Sequence, residues 1–212
     1  MSEIRSGRRR YYDIFSHFYD LFVKLHSHNY GKETREFLVD SALLEDKARP
    51  KVLDICCGTG EVILSFSERY SDILAIGYDF SHGMLLKARE KDIRCRLTLI
   101  EGDAATLPFE DDFFDVICCS HALYELKGLA RKDALLEMRR AVKANGLVLI
   151  MEHEVPRKLF TKMLFYIRIL MMGAKDAGEF LRQGASPFRE IFFNVTPSYT
   201  KSGKSKLFIC QK

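Results

Sequence analysis

Several absences narrow this 212-residue chain before any motif is considered. No apolar run reaches the roughly 18 residues that a membrane-spanning helix needs. No secretion signal is recognisable, because Arg5, Arg8, Arg9 and Arg10 make the start too polar and the next segment mixes acidic with aromatic residues. No internal repeat recurs. Neither a zinc-finger spacing nor a recognition-helix signature accompanies the net charge of +4, so no nucleic-acid partner is expected. That charge gathers at the ends, on the four arginines and on Lys201, Lys204, Lys206 and Lys212. Such ends solubilise a chain, and they also favour anionic surfaces, so a transient membrane-surface contact stays open. No Gly-Lys-Ser/Thr follows the glycines at 58 and 60, which excludes a P-loop ATPase, and Ile63 stands where a dinucleotide fingerprint has its third glycine.

What is present fits one soluble domain with a full core: 47% hydrophobic residues over 212 positions. Of six cysteines, four form adjacent pairs, Cys56–Cys57 and Cys118–Cys119, within or at the ends of apolar strand patterns. Neighbouring strand residues face opposite ways, so neither pair can offer both thiols to one metal. Reduced, mostly buried thiols in a cytoplasmic protein are the expectation, with no metal site. Among the histidines, His17, His26 and His28 are not read as ligands.

Residues 1–10 are expected to be a flexible basic arm. Aromatic and aliphatic residues at helical spacing (Tyr12, Phe15, Phe18, Tyr19, Phe22, Leu25) predict a helix over about 11–28. A second helix is expected over 33–44, and Pro50 resets the chain to extended geometry. Strands are expected at 51–56, 73–78, 96–100, 113–119 and 147–151. Helices over 60–70, 80–91 (Ser81 as its cap) and 131–142 alternate with them, the last ended by Asn145-Gly146. This rhythm predicts a parallel sheet covered on both faces. Beyond it come an apolar helix over 159–172, a short helix over 177–181, and strands at 191–195 and 206–210. No helix separates those two strands, so they should pair antiparallel.

The strand ends carry the chemistry. Lys51 to Gly60 reads K-V-L-D-I-C-C-G-T-G: an apolar strand, a carboxylate at Asp54, then a glycine turn opening a helix. Gly58 and Gly60 let a ligand approach the backbone, beside the unpaired N–H groups of the helix start. Asp79 ends the second strand about twenty residues on, where a carboxylate can accept both ribose hydroxyls of an adenosine. Asp103 and Ala104 follow the third strand, positioned for an adenine edge. Ser120 and His121 end the fourth, beside the glycine turn. Each acid alone has a bland reading as a turn or cap; four strand ends meeting at one crevice do not.

These residues resemble the class I S-adenosylmethionine-dependent methyltransferases, in the branch of the ubiquinone and menaquinone biosynthesis enzymes. The matching stretches are V-L-D-I-C-C-G-T-G, G-Y-D-F-S-H-G-M-L-L-K-A-R-E-K, G-D-A-A-T-L-P-F-E-D-D-F-F-D-V-I and E-M-R-R-A-V-K-A-N-G-L-V-L-I-M-E. Tyr12-Asp13 and Tyr19-Asp20 look like the paired Tyr-Asp motif that opens this branch. The likeness covers roughly residues 11–155. It implies a Rossmann-like seven-stranded, mostly parallel sheet with an antiparallel last strand and helices on both faces. It implies S-adenosyl-L-methionine as cofactor and S-adenosyl-L-homocysteine as product. Asp54, Gly58 and Gly60 would hold the methionine part, Asp79 the ribose, Met84 the adenine face, and Asp103 with Ala104 its edge. Ser120 would touch the methionine end, and Tyr12 and Tyr19 would cover the cofactor. Where the family carries E-F-S-K-P, this chain has E-H-E-V-P from Glu152, which counts against ring C-methylation of a quinone precursor.

A sulfonium methyl is already electrophilic, so the protein must align a nucleophile and exclude water. An acceptor that loses a proton needs a base. His121 and His153 are the catalytic candidates, each also readable as a packing residue; Glu154 stands at the same cleft mouth, and Tyr124 is placed to shape the pocket. The 159–172 segment, with Phe160, Leu164, Phe165, Ile167, Leu170 and Met171, reads as a buried lid or as cover over a lipophilic acceptor. The expected division is a cap (11–45), a cofactor-binding core (50–152), a substrate-side lid (153–189) and a C-terminal strand pair (190–212). Methyl transfer to a small molecule, by a monomer or homodimer, is the leading function. The alternatives are a non-catalytic, regulatory cofactor binder and an NAD-dependent oxidoreductase.

Overall fold

Short apolar runs bounded by carboxylates become parallel strands, and the central ones are buried on both faces. In the computed structural model these are β1 (Lys51–Ile55), β2 (Leu74–Asp79), β3 (Leu97–Glu101) and β4 (Phe114–Ser120), joined by the longer β5 (Val142–His153), β6 (Asn194–Tyr199) and β7 (Ser205–Gln211). The structure describes residues 9–14, 16, 19, 30–156, 159, 162, 163, 166 and 177–212. The expectations for Phe15, His17, Phe18, Phe22, Leu25, His26, His28 and residues 1–8 lie outside the described residues, as do those for Phe160, Leu164, Phe165, Ile167, Leu170 and Met171.

The sheet order is β3-β2-β1-β4-β5-β7-β6. β1 to β5 run parallel, while β7 lies antiparallel between β5 and β6. The expected seven-stranded sheet with an antiparallel last strand is therefore the observed one. The order in which strands are added reverses between β1 and β4, which makes their C-terminal ends the switch point of the fold. Helices α1 (Tyr30–Asp40), α2 (Glu61–Arg69), α3 (His82–Lys91), α4 (Leu129–Ala141), α5 (Ala177–Gln183) and α6 (Ser186–Arg189) surround it, with a 3-10 turn at Leu123–Glu125.

Two cores result, one on each face. Leu38, Ile63, Phe66, Val116, Cys118 and Met151 pack on one side; Ile55, Phe114, Cys119, Met138, Ile150 and Phe208 pack on the other. Each such large side chain, fully buried, contributes roughly 1.5–3 kcal/mol. Cys118 and Cys119 thus face opposite ways, as strand alternation requires. Ser81 caps α3, its side chain accepting a hydrogen bond from Met84 N at 3.2 Å.

Some expected boundaries fail for physical reasons. Asn145-Gly146 does not end a helix: α4 stops at Ala141, and Asn145 and Gly146 lie within β5. The β4–β5 register passes there from Phe114↔Val142 to Val116↔Leu147, and a Cβ on Gly146 would come within 2.7 Å of Asp115 O, so the glycine serves a close backbone approach. α1 ends at Asp40, four residues before the expected end, and Leu43 is exposed in a left-handed conformation (φ 51°). The sixth strand lies at Asn194–Tyr199 rather than 191–195, so Pro197 is inside it. This is an edge strand, where a proline's missing N–H can be tolerated. Ile191 and Phe192 are core residues before it, and Phe193 is exposed.

Candidate active site

β1 hands over to the glycine turn with strained geometry. Cys56 takes φ 56°, Gly58 φ 53° and Gly60 φ 78°, and Gly60 is the N-cap of α2. The two glycines differ in purpose. A Cβ on Gly60 would stand 2.8 Å from Ala88 Cβ, so this glycine lets α2 approach α3. A Cβ on Gly58 would meet nothing within 4 Å among the described residues, which leaves the ground above it open to a ligand there. Close packing that a third glycine supplies in dinucleotide sites is here supplied by Gly60, and Ile63 is free to be fully buried core.

Asp79, at the end of β2, ties the first two crossings together. Its carboxylate accepts hydrogen bonds from Gly58 N and Ser81 N, each at 2.9 Å. A carboxylate offers about four acceptor positions, so capacity remains for ribose hydroxyls. Burial pushes its pKa up to about 6; the Ser81 and Gly58 N–H groups pull it down, and Glu125 and Asp13 push it up. Asp54 is buried below the turn. Cys118 Sγ donates to its Oδ1 at 3.4 Å, while Oδ2 has no hydrogen-bond partner. Burial raises its pKa to about 7; the Cys118 thiol opposes this and Asp79 adds to it. At the third crossing, Asp103 Oδ1 accepts from Ala105 N at 3.0 Å, and Ala104 is buried. Met84 is buried on α3.

The helical stretch 9–14 closes over this ground. The Tyr12 hydroxyl donates to Glu125, and the ring meets Phe80 edge-on at 5.6 Å. Asp13 Oδ1 accepts from Ser81 Oγ at 2.7 Å and Gly83 N at 2.9 Å, adding a charge at the α3 N-terminus. Arg9 pairs with Glu101. Tyr19 is half-buried. Neither Asp13 nor Glu125 was assigned a site role from sequence. The Tyr-Asp pairing pointed to Asp13; nothing in the spacing pointed to Glu125, which the turn after β4 delivers. Arg131 holds that turn, donating to Leu123 O at 2.9 Å and Tyr124 O at 3.3 Å while lying over the Phe180 ring.

On the other flank of the switch point, His121 also adopts a left-handed conformation (φ 53°). The ends of both switch-point strands thus lead into non-glycine residues at positive φ, a cost of order 1 kcal/mol or more that is concentrated at functional sites. His121 Nδ1 lies 3.0 Å from Ser120 Oγ, and Nε2 lies 3.0 Å from Ser205 Oγ. His153 stands beside it with ring centroids 4.2 Å apart, and Tyr124 is 5.7 Å from His153. The two histidines, separate in sequence, are therefore one cluster. Ser205, which positions His121, carries no signal in the sequence. Next to His153, Glu152 is fully buried with neither carboxylate oxygen in close hydrogen-bond contact among the described residues, and burial pushes its pKa up to about 8 against the Tyr124 backbone, Arg131 and Lys206.

The methyltransferase-domain family model matches residues 52–146, spanning the crossings just described. The demethylmenaquinone methyltransferase of Chlorobaculum tepidum is 30% identical over 178 residues, covering 83% of this chain and 72% of that protein. The chain belongs to the class I S-adenosylmethionine-dependent methyltransferases. Within them it resembles the menaquinone-biosynthesis enzymes: the demethylmenaquinone methyltransferase of Shouchella clausii is 29% identical, over 81% of this chain and 75% of its own length. A solved S-adenosylmethionine-dependent methyltransferase from Aquifex aeolicus shares the fold, with a TM-score of 0.61 at 14% identity, covering 86% of this chain and 92% of that one. Among the described residues, the crevice of this methyltransferase has open backbone at Gly58, a buried acid with an unpartnered oxygen at Asp54, and the Asp79 carboxylate bonded to the Gly58 N–H. Among the described residues no cluster suits a metal ion, and no helix is long and apolar enough to cross a membrane.

Proposed function

We propose that this methyltransferase moves a methyl group from S-adenosylmethionine to a small, lipophilic, quinone-like molecule. The observation that carries the proposal is the joining of Gly58 to Asp79 beside an open turn, in a chain whose relatives act in menaquinone biosynthesis. Asp54 and the turn at Gly58, which Gly60 shapes by packing α2 on α3, hold the amino-acid part of the cofactor, with Ser120 at its end. Asp79 takes the ribose hydroxyls, Met84 lies against the adenine, Asp103 and Ala104 read its edge, and Tyr12 and Tyr19 cover it. Bound there, the cofactor supplies an electrophilic methyl group.

The protein's remaining task is to align the acceptor and manage its proton. His121 or His153 accepts the proton of a phenolic or carbon acid acceptor, with Ser120 and Ser205 fixing the His121 ring. The helical stretch 9–14, bonded to Glu125 and Ser81, covers the crevice and excludes water. The test has two parts. Calorimetry with S-adenosylmethionine, S-adenosylhomocysteine and NAD should give micromolar binding of the first two alone. Radiolabelled methyl transfer to reduced quinones of increasing side-chain length should give product, reduced about 10²-fold by replacing the histidine that serves as base. No binding of the first two ligands removes the reading.

A further inference from the structure

Both ring nitrogens of His121 are engaged by serine hydroxyls. Nδ1 lies 3.0 Å from Ser120 Oγ, and Nε2 lies 3.0 Å from Ser205 Oγ. Those serines stand two strands apart: Ser120 ends β4, β5 lies next to it, and Ser205 opens β7, where it pairs with His153 across the β5–β7 ladder. The His121 backbone N–H donates to Met151 O at 2.7 Å, and the chain then turns at φ 53°. Its imidazole therefore spans the end of β5 as a strap from β4 to β7. The His153 ring packs on that strap, with centroids 4.2 Å apart and planes inclined by 37°. A left-handed turn costs free energy in a residue with a Cβ, and the two hydroxyl contacts hold the ring against relaxing. The strap ends inside the fold. Ser205 is buried, and its backbone N–H and carbonyl are both bonded to Thr200, so a proton passed along Ser120–His121–Ser205 would stop in the β6–β7 hairpin.

We propose that His153 is the proton acceptor in methyl transfer, and that His121, held by Ser120 and Ser205, is a positioning residue that sets the His153 ring. The inference rests on the function proposed above, in which one of these two histidines is the base, and it divides the roles between them. A ring nitrogen takes a proton where its lone pair meets the acceptor, and both His121 nitrogens are turned to serines instead. Two charged imidazoles 4.2 Å apart repel, so the pair serves as one base and not two. The step balances with one proton. As the acceptor's oxygen or carbon bonds the methyl carbon, the methyl–sulfur electron pair goes to sulfur, and the acceptor's proton passes to His153 and then to water. Ser205, which no local signal marks, acts through His121 on the ring that does the work.

The test joins spectroscopy of the free chain to turnover. In nitrogen-15 histidine spectra at pH 8, His121 should show a single tautomer, and Ser205→Ala should shift its Nε2 signal and mix the tautomers. A mixture in the wild type, or spectra that Ser205→Ala leaves unchanged, overturns the strap. Turnover is read with a reduced short-chain naphthoquinone as acceptor, and calorimetry with S-adenosylhomocysteine shows that each variant is folded. His153→Ala should lower kcat about 10²-fold, with part of the loss restored by added imidazole. His121→Asn, whose side chain tolerates a left-handed backbone, should lower kcat about three- to tenfold with no imidazole rescue. Ser205→Ala should lower kcat about threefold while the acceptor KM stays unchanged, a split that general loosening of the site would not give. Imidazole rescue of His121→Asn, or wild-type turnover in His153→Ala, overturns the assignment and leaves the proposed function standing. A wild-type chain that binds S-adenosylmethionine but methylates no reduced quinone overturns that function, and the assignment with it.

Discussion

Two buried aspartates at opposite ends of the same sheet have opposite fates. Asp115, at the N-terminal end of β4, receives Lys47 Nζ at 3.0 Å, Lys143 Nζ at 2.9 Å and Lys51 N at 2.9 Å. Burial pushes its carboxyl up, but Lys143, the Lys51 N–H and Lys47 outweigh burial and hold it below the usual range. Asp54, at the C-terminal end of β1, has one thiol donor and a raised pKa of about 7. A carboxylate with its partners supplied by the chain is structural; one left short of partners is a place where a ligand can complete the set. The lysines at the base join the segment before β1 to β4 and β5, and they do so where the β4–β5 register shifts. At the top, Asp54 receives no lysine, and Asp79 joins β2 to the glycine turn through backbone N–H groups alone.

The largest effect should come from the satisfied end. Asp115→Ala leaves Lys47 and Lys143 facing each other and should cost about 3 kcal/mol, on the order of a 10 °C fall in Tm, read by thermal unfolding at pH 7. Because its folded pKa is depressed, the wild-type contribution is present above the ordinary carboxylate pKa and is lost as pH falls through the folded value. Equal stability of the variant at pH 7 would erase the contrast. Next comes the ligand end: Asp79→Ala should weaken S-adenosylmethionine binding by tenfold or more, about 1.4 kcal/mol, with a smaller loss of stability than Asp115→Ala. A variant that loses more stability than affinity would make Asp79 a structural residue like Asp115.

The smallest effect sharpens the comparison through Glu152, a second underserved acid. Its folded pKa of about 8 lies above its ordinary 4.5, so the folded state holds a proton that the unfolded state has released between those values. Wild-type stability is therefore eroded as pH rises from about 4.5 to 8. Glu152→Gln lacks that loss and should unfold at a higher temperature than wild type at pH 8.5, with little difference at pH 5. A parallel pH dependence for both proteins would show that Glu152 is already compensated.

Local signals made much of this legible. Apolar runs ending in acids located five parallel strands to within a residue or so, except at the start of β5. Ser81 was readable as a cap because a hydroxyl before an apolar helical face has few other uses there. What failed shares one cause. Asn145-Gly146 reads as a helix stop in any local window, yet it lies in β5 because Gly146 must pass close to Asp115. Pro197 reads as a turn, but the free edge of the sheet tolerates it in β6.

By itself, then, the sequence determined the order of elements and the class of sheet, since these follow from periodicity, and its stretches at the strand ends carry the family resemblance that implies the cofactor. Only the tertiary structure decided that Gly60 is for packing and Gly58 for access, and that His121 and His153 form one cluster with Ser205. It alone separated Asp115, completed by lysines 68 and 28 residues away, from Asp54, left incomplete. The physical reason is that whether a buried charge is satisfied depends on donors brought from distant parts of the chain, which no local window of sequence contains.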